Sequence, residues 1–403
     1  MDHYLCYQHN VQKFFIRHLE KFTGIIVPFS IASSFQSGTF GFLRALLAKD
    51  KSKKFALDPR SALFQHKWNR ANVREPHRKL AAIFGNPFLS SGLDRPLTPD
   101  DFLNSENLSL STNRCIQYQR KFRVLDEPER KLEKYRKLLG LDTMPEIVNP
   151  QRLIPPYFQF ASLGDAWFDV SMRCIEHATT LVPADELTPV VHFSSWKGIE
   201  DWAVISDRLT AMGIKSVFVY PNNFKEHEAA ESELQKYAEC VAVLSKNQIS
   251  ADALHGGYFA ILLEKKGLRG FGNGVGYGEW RNSAYHKGGT PEVRIYIPKL
   301  HRFLDPASAQ PIITRGGEYF AAESDLLTGY ALADKPLTQV QPQEALDHFM
   351  WCRQQEINFV ASNTVKSLIA DLHETVEVLK KVGPLEEETY GRPLSRWAAT
   401  LSG

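Results

Sequence analysis

The residues best placed to do chemistry are a run of glycines and a single aspartate. The stretch "GFGNGVGYGEW" puts Gly270, Gly272, Gly274, Gly276 and Gly278 at every second position, with Glu279 and Trp280 directly after. Alternate residues of an extended segment face opposite sides, so this spacing bares one face, against which something flat can lie. Glycine in a strand also marks the close approach of a ligand or another backbone. A flexible loop that merely turns is the competing reading. The aspartate is Asp58, in "FALDPRSALFQ". At the end of an apolar run it can serve as base, nucleophile or acceptor for a heterocycle's N–H groups. Asp-Pro is equally a common way to open a turn.

Apolar runs separated by helical spacing must carry these residues. "TGIIVPFSIA", "KKFALDPRSALFQ", "RCIQYQRKF", "RLIPPYFQFA", "TPVVHFSSW", "IKSVFVYPNNF", the segment through the glycine run, and "EVRIYIPKL" read as eight β elements. The sharpest βαβ unit runs from "TPVVHFSSW" through the amphipathic "KGIEDWAVISDRLTAMG" into "IKSVFVYPNNF". Eight such elements with intervening helices predict an α/β (β/α)8 TIM-like barrel over residues 1–340. Residues 341–403 read as a C-terminal helical extension, broken near "ASNT" and packed on the barrel or a partner. An open doubly wound sheet is the alternative. It is weakened because no strand–GxGxxG–helix unit appears early in the chain.

In a barrel, function gathers at the carboxyl ends of strands. The positions there are Asp58, Arg60 and Gln65, then Gln117 and Gln119, Tyr157 and Gln159, His192, Ser194, Ser195 and Trp196. Tyr220, Asn222, Asn223, Gly278 and Glu279 follow, with Arg294, His301, Arg302 and Asp305 around the last run. Amides and aromatic rings suit a flat heterocycle, which they stack and read at its edge. Arg281, His286 and Lys287 can take a phosphate, or can simply line a solvated loop. The two serines lack a GxSxG elbow, which excludes a standard serine hydrolase.

Composition narrows the class further. Hydrophobic residues make up 43% of the 403, enough for a sizeable core. Net charge is +2, but residues 1–150 carry 24 Lys+Arg against 15 Asp+Glu, and the remainder 24 against 31. A basic N-terminal third can meet nucleic acid, phosphate or an acidic partner, unless the charges only solvate helices such as "EPERKLEKYRKLLG". The five cysteines are scattered with no CxxC pair, which suits a reducing, cytoplasmic setting and predicts no metal. No other cofactor is expected either. No apolar run nears the roughly 20 residues of a membrane span. "MDHYLCYQHNVQKFF" lacks the layout of a signal peptide. The expected partners are therefore a nucleobase or nucleic acid, with a protein partner or homo-oligomer open and no membrane.

Two motifs carry a family resemblance. "FALDPRSALFQ" resembles the "TDSGGFQ" strand end of the tRNA-guanine transglycosylases, and "GVGYGE" resembles their "GLAVGE" segment around the bound base. The resemblance implies a (β/α)8 barrel that exchanges guanine in nucleic acid for a 7-deazaguanine through an aspartate nucleophile, with a second aspartate as acid/base. It implies Asp58 as candidate acid/base, and Gly276, Gly278 and Glu279 as base contacts. Asp305 is the late-strand carboxylate, although its "FLDP" setting differs from the family's. Ser61-Ala62 replaces the paired glycine, and the CxCxxC zinc pattern is missing. These departures leave two outcomes: base exchange, or recognition of the base within an antiphage-defence type of assembly after loss of catalytic residues. A barrel enzyme acting on a small phosphorylated substrate is the alternative outside the family.

Overall fold

Seven short runs, mostly apolar, form one parallel sheet. They are β1 (Asp2–Cys6), β2 (Gly24–Pro28), β3 (Lys54–Asp58), β4 (Val190–Phe193), β5 (Ser216–Pro221), β6 (Ser250–Ala253) and β7 (Leu268–Asn273). The sheet order is β3-β2-β1-β7-β6-β5-β4, curled so that helices cover its outer face. This structure, a computed structural model, describes residues 1–67, 75–122, 133–134, 136–137, 140–142, 150, 152–276, 278–284, 292–321 and 324–403. His286, Lys287 and most of "EPERKLEKYRKLLG" lie outside the described residues.

The segment 152–160 lies between the two edges of the sheet. It makes isolated parallel bridges from Arg152 to Ala56 of β3, from Leu153 to Leu187, and from Phe160 to Phe193 of β4. Pro155 and Pro156 have no N–H to give a ladder. Side chains meet its remaining backbone groups instead. Gln119 donates to the Ile154 carbonyl (2.7 Å) and accepts from the Ile154 N–H (3.0 Å). Ser61 Oγ accepts from the Tyr157 N–H (2.7 Å), and Gln65 pairs in both directions with the Gln159 backbone. An irregular strand is thereby satisfied without a regular ladder.

The interior of the curl is a small cluster of its own. Tyr4, Ile26, Ala56, Ile154, Tyr157, Val190, Phe218, Tyr220 and Leu254 meet there, one or two from each strand from β1 to β5, Leu254 from just beyond β6, and two from the 152–160 segment. Below them Asp252, fully buried, pairs with Arg152 (2.6 Å) and Arg269 (2.7 Å). Gly270 and Gly272 of β7 owe their identity to this crowding. A Cβ on Gly270 would lie 2.5 Å from Asp252 Oδ1, and one on Gly272 would lie 2.5 Å from the Leu254 carbonyl. Their bare face is filled by neighbouring strands.

Three sequence expectations need correction. "RCIQYQRKF" lies at the end of the helix Ser105–Lys121, and the burial of Cys115, Ile116, Gln119 and Phe122 follows helical spacing rather than alternation. "EVRIYIPKL" supplies β8 (Ile295–Ile297), which pairs antiparallel with β9 (Arg302–Leu304) outside the main sheet. Two true strands went unrecognised. "DHYLC" (β1) hides two polar residues in an apolar run. "SADA" (β6) is four small or polar residues.

The C-terminal helices Pro342–Ser362 and Val365–Val382 break at Asn363-Thr364. The first brings Phe349 against Tyr296 and sends Arg353 inward beneath the β7 loop. Among the described residues no helix is long and apolar enough to cross a membrane.

Candidate functional site

A cavity of about 610 Å3 opens at the carboxyl ends of the parallel strands. Every strand end but that of β4 contributes to its wall: Cys6 from β1, Ser30 beyond β2, Asp58 and Arg60 at the end of β3, Tyr220 from β5, His255 beyond β6, and Gly274 and Gly278 beyond β7, with Tyr157 from the 152–160 segment. This is where open α/β sheets and barrels alike place their ligands.

Asp58 is 3% exposed, the one carboxylate on this wall among the described residues. Its Oδ1 accepts from the Tyr157 hydroxyl (2.7 Å) and from the Arg60 N–H (3.1 Å). Oδ2 takes one longer contact from Arg60 Nε (3.3 Å), so acceptor capacity is left for a ligand. Arg60 adopts φ +52°, a left-handed conformation rare for a side-chain-bearing residue, which turns the chain sharply after Pro59. Burial, reinforced by the Asp58 charge, pushes the Tyr157 hydroxyl well above the ordinary tyrosine range. Tyr157 therefore stays a donor.

Three of the lining rings, Tyr157, Tyr220 and His255, belong to a relay that runs through His192, which is buried behind them and does not line the cavity. Tyr157 meets His192 edge-on at 5.9 Å, His192 stacks on Tyr220 at 4.0 Å, and Tyr220 meets His255 at 5.2 Å. His192 is buried, with Nδ1 against the Tyr220 carbonyl (2.9 Å) and Nε2 unpaired. Burial pushes its pKa down to about 3, so it is neutral at physiological pH. His255 is held well below the usual histidine range, first by burial and then by the charges of Arg281 and Arg60. The Cys6 thiol is pushed up to about 11 by burial and remains protonated.

The opposite wall is the loop 278–284. The Gly274 N–H donates to the Gly278 carbonyl (3.0 Å), closing a tight turn. Asn222 Oδ1 accepts from the Ser283 N–H (2.7 Å), Ser283 Oγ donates to Gln159 Oε1 (2.8 Å), and Gln159 Nε2 reaches Ser194 Oγ (2.9 Å). His66 closes on Ser283 at 3.0 Å. Gln65, Gln159 and Asn222 thus act by fixing this loop, and Arg281, Trp280 and Gly278 are what the loop presents to the cavity.

Gly276, Glu279 and Asp305 stand elsewhere. Gly276 (φ +94°) faces Leu346. The Glu279 carboxylate turns away from the cavity to Arg353, in a buried cluster with Glu226 and Glu356. Burial and those two carboxylates push Glu279 up to about 8, against the pull of Arg353. Glu226 accepts from the N–H groups of Gly257, Phe259 and Ala260, and Glu356 from Tyr296 and His301. Asp305 is exposed and caps the helix Pro306–Gly316 through the Ser308 N–H (2.9 Å). Asp58, Glu279 and Asp305 therefore do not converge. Cys6 and His255 were missed because β1 and β6 were. The histidine before Gly256-Gly257, at a strand end, was the available signal.

The turn at Gly278 has a testable consequence. A Cβ there would lie 2.8 Å from the Gly274 Cα, at φ +153°. A Cβ at Gly276 would meet only the tip of Leu346, so at its φ of +94° the cost is backbone strain without crowding. Gly278→Ala is expected to cost about 1–3 kcal/mol and Gly276→Ala less, as read from urea midpoints. Equal losses would show that backbone crowding does not hold this wall.

Among the described residues no three His, Cys, Asp or Glu side chains gather as a metal-ligand group. Comparison with protein-family models and with curated proteins finds no match to this chain, so the resemblance to the transglycosylases rests on its two short motifs alone.

Proposed function

We propose that this chain is a transglycosylase-like (β/α)8 barrel that receives guanine or a 7-deazaguanine in the cavity at its strand ends, and that it recognises the base rather than exchanging it. Closure of the barrel by the 152–160 segment is supported by its bridges to β3 and β4 and by the interior cluster drawn from every side. The observation that carries the base reading is Asp58. A buried carboxylate with one oxygen only lightly engaged matches the adjacent N–H donors on the guanine edge, where adenine offers an acceptor. Trp280 stands at the mouth with Lys225 over its ring at 4.9 Å, leaving aromatic surface for stacking.

Exchange needs a nucleophile at the sugar and a separate acid or base. The other carboxylates that the resemblance brings in are engaged elsewhere: Glu279 with Arg353, and Asp305 as a helix cap. Recognition is the reading these placements favour. It is tested by calorimetric titration of guanine, 7-deazaguanine and adenine. Wild type should bind the first two and not adenine. Asp58→Asn sets donor against donor and should weaken guanine roughly tenfold or more, the cost of an unmet buried polar group. Melting curves control for folding. Equal binding by Asp58→Asn, or no binding of either guanine-type base by wild type, overturns the reading.

A further inference from the structure

Arg281 is the part of the cavity that a bare base leaves unexplained. Its backbone is fixed, since the carbonyl accepts from the Asn223 N–H (2.8 Å) and from the Tyr220 hydroxyl (3.3 Å). Its guanidinium, half-buried on the cavity wall, makes no hydrogen bond or ion pair among the described residues. A second guanidinium, Arg60, lines the same cavity and already shares its partner Asp58.

Two guanidinium groups thus face one carboxylate. Among the described residues nothing else beside them supplies a negative charge: the Cys6 thiol stays protonated, Tyr220 is raised by burial, and His255 is neutral. Burial and the nearby Arg60 charge both disfavour the charged form of Arg281. Guanidinium does not surrender its proton in proteins, so the repulsion persists until an anion enters. A phosphate, with several acceptor oxygens, is the group a guanidinium fork holds best.

We infer that Arg281, with Arg60, forms a phosphate subsite beside Asp58, so that the base enters as part of a nucleotide. The inference rests on the base reading of Asp58 given above. The phosphate belongs either to a free nucleoside monophosphate or to the phosphodiester of a nucleic acid, and the test separates the two.

Guanosine, GMP, the dinucleoside monophosphate GpG, AMP and ribose 5-phosphate are titrated into wild type, Arg281→Gln and Arg281→Lys, with melting curves confirming the fold. Wild type should bind GMP about tenfold or more tightly than guanosine. Arg281→Gln should bring GMP down to the level of guanosine and leave guanosine unchanged, while Arg281→Lys restores part of the difference. The preference should shrink as salt rises. GpG binding as well as GMP assigns a nucleic-acid phosphodiester, and GpG binding no better than guanosine assigns a terminal phosphate. Equal affinity for GMP and guanosine in wild type overturns the subsite, as does an Arg281→Gln variant that weakens both alike. If AMP and ribose 5-phosphate match GMP and all three depend on Arg281, the subsite stands and the base reading falls.

Discussion

Arg353→Met should destabilise the protein by about 3–5 kcal/mol, the usual cost of removing one partner from a buried ion cluster. Arg353 is fully buried on the helix Pro342–Ser362, paired with Glu279 and, at 2.9 Å, with Glu356. It packs among the rings of Tyr296, Phe349 and Phe271. Methionine fills much of the same space, so the loss is mainly one of charge. Glu356 and Glu226 are then left without a cation, Glu279 is raised further than it already is, and each must hold a proton or stay charged in an apolar setting. The deficit should narrow at pH 5, where those protons are easier to keep, and Glu279→Gln in the same chain should recover part of it. Urea midpoints at pH 5 and pH 8 for wild type, the single variants and the double variant read this directly. A loss below about 1 kcal/mol, or no difference between the two pH values, would mean that the cluster does not depend on its arginine.

Stability should peak near pH 7 and fall on both sides. His192 is down to about 3 and His3 to about 4, and burial also holds His227 and His255 well below their ordinary value. Each is neutral when folded and takes a proton when unfolded, below about pH 6.5. The unfolded chain therefore binds more protons in that window, and stability drops as pH falls through it. Burial acts oppositely on carboxyls. Glu279 is raised to about 8 and Asp252 to about 6, so each holds a proton in the folded state that the unfolded chain has lost, and stability drops as pH rises through these ranges. Below pH 6 four histidines outweigh two carboxyls, a net of about two protons and roughly 2.7 kcal/mol per pH unit. Above about pH 7 the histidines fade and Glu279 dominates, with Glu226, also raised by burial, acting the same way, and Glu279 alone supplies up to about 1.4 kcal/mol per unit. Denaturant midpoints across pH 5 to 8 check this. A maximum at pH 5 would mean that the buried histidines are charged in the fold.

The sheet was legible where strands were long and apolar. β2, β3, β4 and β5 stand where the runs containing "GIIVP", "KFALD", "VVHF" and "SVFVYP" put them. It was illegible where function and packing overrode pattern. β6 carries Asp252 among small residues because that carboxylate must meet Arg152 and Arg269, an ion cluster no hydrophobic scan detects. "RCIQYQRKF" misled because an amphipathic helix end and a half-buried strand look alike over nine residues. At the site, Asp58, Tyr157 and Arg281 were readable as polar residues at strand ends. The destination of Glu279 was not, because its partner lies on a helix 74 residues later. The glycine run divides in the same way. Strand spacing holds for Gly270 and Gly272, which make room for neighbouring strands, but β7 ends at Asn273, and of the later glycines only Gly274 and Gly278 reach the cavity.

The pairing of β1 with β7 sets an order of events during synthesis. Asp2 to Leu5 lie against Gly270 to Asn273, so the first strand waits for a partner about 270 residues away. At ribosomal speeds that is roughly 15–50 s. In the interval β1 can lean on β2, but its other edge offers unpaired backbone groups to any passing strand. Arg353 emerges later still, after the glutamates Glu226 and Glu279 that it neutralises. The nascent chain therefore holds an open edge until β7 emerges, and an uncompensated acidic pocket until the helix Pro342–Ser362 follows. Ribosome-bound chains halted before residue 353 should be far more sensitive to protease than the released protein.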